Sequence, residues 1–154
     1  MSSSGERIRL LLDTTYLLPI VGVWVEGVEE ALLVLEKLYR SKRLEAFYTP
    51  FNLLEMIAKL SKMEVDARRV KLGLRSIRES FRVTHPTPSG YLLALQLRRR
   101  GFRDLIDLLL YATARSRGLR LLTRDKSLVS FLEKNGEDLK HVMLEEELVE
   151  KYGG

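Results

Sequence analysis

The chain contains no cysteine. Disulfides and thiolate metal sites are therefore excluded, which fits a reducing compartment. At 154 residues one domain is the expected count, and a core of that size holds without staples. Side-chain amides are nearly absent, limited to Asn52, Gln96 and Asn135, while 31% of residues are charged. Few amides and many charges lean towards a heat-adapted source. No apolar run approaches the ~20 residues that a membrane span requires. Met1-Ser2-Ser3-Ser4-Gly5 lacks the basic-then-apolar order of a signal peptide, so the cytoplasm is the expected compartment. Residues 1–6 read as a disordered end ahead of one domain over residues 7–154. A glycine-rich phosphate loop is also missing. The two histidines, His85 and His141, stand far apart in plain surroundings and read as strand-edge positions.

What is present is organised around Arg7-Ile8-Arg9-Leu10-Leu11-Leu12-Asp13-Thr14-Thr15. A short apolar run stops abruptly on an acid and two hydroxyls, the pattern of a buried strand. Residues 14–21 predict a short helix limited by Pro19 and Gly22. Apolar spacing predicts a helix over 27–43, then a strand over 45–49. A helix starts at Pro50 with Leu53, Leu54, Ile57 and Leu60 as its inward face. Further helices are predicted over 65–81, from Thr87-Pro88 to Arg100-Gly101, and over 104–117, the last apolar nearly all round and closed by Gly118. Short strands over 82–85, 119–123 and 141–143, a helix over 126–134 and a terminal acidic helix complete the pattern. Strands alternating with helices mean a parallel sheet covered on both faces.

Four acids stand out, each with a plain alternative. Asp13 and Asp125 both follow strands, where an acid often only caps the next helix. Glu55 shares a helix face with Asn52, Lys59 and Lys62, so a solvated face with a Glu55–Lys59 pair is its alternative. Asp107 lies in Leu105-Ile106-Asp107-Leu108-Leu109-Leu110, too deep in the predicted helix to cap it. A buried carboxylate costs several kcal/mol unless paired or bound to a cation. Its alternative is a salt bridge to Arg103 or Arg115. Asp104, one turn earlier, is either a helix start or a further acid. In a doubly wound sheet the first and fourth strands can adjoin at the switch point, which brings Asp13 and Asp125 into one crevice over which the two helices lean. Gathered carboxylates repel unless a cation neutralises them, and an all-oxygen donor set selects Mg²⁺ or Mn²⁺.

Leu11-Leu12-Asp13-Thr14-Thr15, Asn52-Leu53-Leu54-Glu55, Asp107-Leu108-Leu109-Leu110-Tyr111-Ala112-Thr113-Ala114 and Leu121-Leu122-Thr123-Arg124-Asp125 together resemble the PIN-domain family in order and spacing. The resemblance covers nearly the whole chain. It implies a three-layer α/β/α sandwich around a parallel sheet of about five strands in the order 3-2-1-4-5. It also implies Mg²⁺- or Mn²⁺-dependent endoribonuclease activity, as in VapC-like toxins of toxin–antitoxin pairs or in RNA-processing members. By position Asp13, Glu55, Asp107 and Asp125 would be the acidic quartet, with Thr14 and Thr123 as supporting hydroxyls. Members often carry an aromatic soon after the last acid. Here Ser127-Leu128 stands in that place and Phe131 comes later.

An RNA substrate needs cations outside the acidic crevice, and the net charge of +5 suits it. Arg68, Lys71, Arg75, Arg78 and Arg82 recur every three or four residues as one stripe. Arg98-Arg99-Arg100, Arg103, Arg124 and Lys126 add to it. A solvated helix face is the alternative for each. Trp24 and Leu33-Val34 exceed what one helix face needs and read as core or as an interface with a second copy or an antitoxin. A rival reading keeps the fold without catalysis, as an RNA-binding or scaffold module. A phosphatase or phosphorelay receiver fits poorly, because Thr15 stands where an Asp-x-Asp pair would need its second acid.

Overall fold

The computed structural model describes residues 7–154, and the disordered end expected over residues 1–6 lies outside the described residues. Five parallel strands, β1 (Ile8–Leu12), β2 (Leu44–Tyr48), β3 (Arg82–Val83), β4 (Arg120–Thr123) and β5 (Val142–Leu144), form one sheet in the order β3-β2-β1-β4-β5. The expected strand order is therefore the observed one. Between them run α1 (Glu29–Arg40), α2 (Pro50–Leu60), α3 (Ala67–Ser80), α4 (Pro88–Arg99), α5 (Leu105–Arg117), α6 (Lys126–Lys134) and α7 (Glu145–Tyr152).

Strand residues alternate between two cores, as the two-residue period of a strand requires. Leu10, Leu12, Ala46, Tyr48, Leu122 and Met143 face α1, α3 and α7, where Ala31, Leu35, Leu38, Ile77 and Leu148 meet them. Leu11, Phe47, Leu121 and Val142 face α4, α5 and α6, against Leu97, Leu108, Leu128 and Leu132. Both faces are covered, so the carboxyl halves of β1, β2 and β4 are apolar runs rather than alternating, with Arg9, Glu45 and Arg120 confined to their starts. Leu10 and Leu11 are fully buried; each such side chain contributes about 2 kcal/mol by burial.

Helix ends follow side-chain chemistry. Thr49 ends no strand. Its hydroxyl accepts from the Phe51 and Asn52 N–H groups, while the Asn52 side chain accepts from the Thr49 N–H at 2.8 Å, closing a reciprocal cap with Pro50 at the first helical position. Asp66 caps α3, which therefore starts at Ala67 rather than at Val65. Gly118, at φ +70°, closes α5 as expected. The short helix expected over 14–21 is instead two 3-10 turns, Thr14–Tyr16 and Leu18–Val21; Pro19 lacks the donor a longer helix needs. α3 crosses the second turn so closely that a Cβ at Gly73 would lie 2.4 Å from the Ile20 carbonyl oxygen.

The face expected of α2 is corrected. Leu60 is buried and Leu53 packs against the core as expected, but Leu54 and Ile57 are exposed and Asn52 and Met56 are buried in their stead. Asn52 is drawn inward by its hydrogen bonds, which rotates the helix from the orientation that apolar residues alone suggest. α5 also departs from expectation: its middle is buried, but Leu105 is exposed and Ile106 and Leu109 are half-buried. Trp24 and Leu33 are exposed and Val34 is buried, so that cluster divides between surface and core.

Candidate functional site

β1 lies beside β4 with Leu12 opposite Leu122, and the Asp13 N–H donates to the Leu122 carbonyl at 3.2 Å. Asp13 and the turn that carries Asp125 thus leave the sheet side by side at its carboxyl edge, where the strand order reverses. Asp13 makes no side-chain cap. Burial pushes its carboxyl up to about 6, Glu55, Asp104 and Asp125 add to the rise, and the Thr14 N–H opposes it.

Asp104 caps α5 by accepting from the Asp107 N–H at 3.0 Å. Asp107 is therefore the third residue of α5, not mid-helix as the sequence suggests. The positive end of the helix dipole tolerates an acid there, yet Asp107 is pushed up to about 8, first by burial and then by Asp13, Asp104 and Asp125. Asp125 helps to raise Asp107, and Asp107 in turn helps to lower Asp125. Asp125 is itself a cap: its Oδ1 accepts from the Ser127 N–H at 2.9 Å, the Ser127 hydroxyl at 2.6 Å and the Leu128 N–H at 3.2 Å. Burial raises its pKa, but these donors prevail and hold it below the usual carboxylate range.

Among the described residues, no lysine, arginine or histidine forms an ion pair with Asp13, Glu55, Asp104, Asp107 or Asp125. The ion pairs offered as alternatives, Glu55 with Lys59 and Asp107 with Arg103 or Arg115, thus do not form; Arg115 pairs with Glu137 instead. Among the same residues no three acidic or histidine groups surround one point as a set of metal ligands would. The arrangement is a set of acids that perturb one another: Asp13, Asp104 and Asp125 act on Asp107, and Glu55, from α2, acts on Asp13 together with Asp104 and Asp125.

Two hydroxyls and an amide fix the loops beneath these acids. The Asn52 Nδ2 donates to the Leu12 carbonyl at 3.0 Å and to the Thr14 hydroxyl at 3.1 Å. The Thr123 hydroxyl accepts from the Asp125 N–H at 3.0 Å. Thr14, Asn52 and Thr123 are buried. Asn52 had read as part of a solvated face; the signal that could have placed it inside is its position three residues after Thr49, the reciprocal-cap spacing. Ser127, where an aromatic was expected, holds Asp125 instead, while Phe131 stacks near Phe102 with ring centroids 5.0 Å apart.

The predicted cations divide. Arg68, Lys71, Arg75 and Arg78 are exposed on α3, and among the described residues none has an acidic partner. Lys71, Arg75 and Arg78 line a groove of about 370 Å³ whose other wall includes Tyr48 and Leu53 at the start of α2. Arg82 pairs with Glu45. Arg124 and Lys126, which flank Asp125, pair with Glu145 and Glu146 of α7. Arg103 is exposed, and its carbonyl accepts from Arg98.

The sequence matches the family model described as the PIN domain over residues 10–133, and the chain belongs to the PIN domain family. Among solved structures it is similar to VapBC2 from Rickettsia felis bound to a DNA fragment from their promoter: TM-score 0.63, 15% identity, 89% of this chain and 97% of that one covered. It is likewise similar to PAE2754 from Pyrobaculum aerophilum, with TM-score 0.56, 18% identity and coverage of 95% and 90%. A third is VapC20 of Mycobacterium tuberculosis, a sarcin-ricin loop cleaving toxin, with TM-score 0.57, 16% identity and coverage of 84% and 97%. No curated protein matches the sequence.

Proposed function

We propose that this protein is a Mg²⁺- or Mn²⁺-dependent endoribonuclease that hydrolyses RNA phosphodiester bonds. The observation that carries the reading is the placing of Asp13, Asp104, Asp107 and Asp125 near one edge of the sheet, close enough to help raise the carboxyls of Asp13 and Asp107 and without a cationic partner among the described residues, although no three of them surround one point. The donor set is all oxygen and hard, which suits Mg²⁺ or Mn²⁺ rather than a soft ion. Asp13, Asp107 and Asp125 would hold the ion, with Glu55 and Asp104 as further acids. When bound, such an ion supplies Lewis-acid polarisation of the phosphate. Thr14, Asn52 and Thr123 keep the acid-bearing loops in place. Lys71, Arg75 and Arg78 offer a cationic groove for the sugar-phosphate backbone.

Family membership and the toxin among the neighbours support an RNA substrate, and the VapBC neighbours support a toxin paired with an antitoxin. The exposed Trp24 and Leu33 suit an interface with a second copy of the chain. Light scattering of the purified protein tests this: a mass of one chain removes the homodimer. The activity test is incubation of end-labelled RNA with the protein in Mg²⁺, Mn²⁺ or chelator. Cleavage in either metal and none in chelator is expected. RNA binding without cleavage in any condition would make the protein a non-catalytic RNA-binding or scaffold member and overturn the nuclease.

A further inference from the structure

The two loops that carry Asp13 and Asp125 are joined by a third element. Tyr16, three residues after Asp13, donates its phenol O–H to Glu145 Oε1 at 2.8 Å. Arg124, one residue before Asp125, brings its Nε to 3.6 Å from the same oxygen. The guanidinium is further held by the Glu26 carbonyl, which accepts from Nη1 at 2.9 Å. Glu145 opens α7 directly after β5, the strand beside β4, so the sheet itself fixes its place. Its carboxylate is largely buried, at 16% exposure, and Tyr16 at 2%. A charge so enclosed must be partnered, and here both partners come from the loops of the candidate site. By contrast, the neighbouring pair, Lys126 with Glu146, is mostly exposed at 70% and 63%, the kind of pair that contributes little.

We propose that Glu145 is a positioning residue that sets the spacing of the Asp13 loop and the Asp125 turn by binding Tyr16 and Arg124 at once. It touches no substrate and acts through these two side chains. The inference rests on the reading that Asp13 and Asp125 serve one divalent-cation site, and it adds that the spacing of these acids depends on α7. It also means that Arg124 is committed to this clamp rather than free for an anion.

The test uses the full chain with Glu145→Ala and Glu145→Gln, the second retaining an acceptor for Tyr16 where the first fails to fold, and Glu146→Gln as control. Mn²⁺ titration of the metal-free protein is expected to show weaker binding by about 10- to 100-fold for Glu145→Ala, the usual cost of removing a group that orients ligands. A smaller loss is expected for Glu145→Gln and none for Glu146→Gln. Amide exchange of the metal-free protein gives a second readout: residues 13–17 and 123–126 exchange faster in Glu145→Ala, with α4 unchanged. Unaltered Mn²⁺ affinity with unaltered exchange overturns the clamp. If the parent chain itself binds no Mn²⁺, the cation reading fails, and exchange alone then decides the clamp: faster exchange at both loops supports it, and unchanged exchange ends it.

Discussion

Glu45, near the start of β2, receives ion pairs from Arg9 and Arg82. Asp13 and Asp107, beyond the opposite ends of the strands, receive none from the described residues and crowd one another instead. The chain does not lack cations, with 26 lysines and arginines against 21 acids. Glu137 and Glu147 also have arginine partners. At one end of the sheet charge is balanced side chain by side chain; at the other Glu145 and Glu146 are paired with Arg124 and Lys126, but Asp13, Asp104, Asp107 and Asp125 have no cationic partner among the described residues. Such imbalance costs folding free energy, and proteins keep it where function needs it. The contrast therefore supports this edge as the candidate site more than any single acid does.

The contrast breaks most sharply at Asp107. Asp107→Asn is expected to lower metal-dependent RNA cleavage by about 100- to 1000-fold. At the same time it raises the stability of the metal-free protein by about 1 kcal/mol in urea denaturation, because a repelled acid is removed. Asn52→Ala should do the opposite. It leaves the Leu12 carbonyl and the Thr49 N–H short of partners and costs about 2–3 kcal/mol by the same measurement.

pH distinguishes the two ends without mutation. Asp13 and Asp107 have folded-state values of about 6 and about 8, above the unfolded 3.8. The folded chain therefore binds more protons than the unfolded one between these limits, and stability falls as pH rises from about 4 to about 8. Metal-free protein should unfold at lower urea at pH 8 than at pH 5, and Asp107→Asn should flatten that dependence. The smallest expected effect is at the cationic groove: Arg75→Gln weakens RNA binding modestly and makes the log-affinity against log-salt slope shallower by about 1.

The fold was legible because hydrophobic period and length are local signals. Leu10-Leu11-Leu12, Phe47-Tyr48 and Leu121-Leu122 announce buried strands, and the alternation with helices leaves few topologies. Helix ends and faces were less so. Leu54 and Ile57 look like core, but the hydrogen bonds of Asn52 turn α2 the other way. Asp107 looked mid-helix because Asp104 read equally as a helix start or a further acid, and only the backbone at residue 104 decides for the cap. That Asp13 and the turn carrying Asp125 leave the sheet side by side followed from strand adjacency, which sequence order suggested. Glu145 did not, because its partners Tyr16 and Arg124 are remote in sequence and meet it only in the folded sheet.

Calorimetric titration of Mn²⁺ into the metal-free protein at pH 7, repeated in buffers of different ionisation enthalpy, tests the central claim most directly. Asp107, pushed up to about 8, is protonated at that pH, so a cation entering among the acids displaces about one proton. Proton release that disappears in Asp107→Asn is the expected result. No Mn²⁺ binding, or binding whose proton release is the same with and without Asp107, would contradict the account.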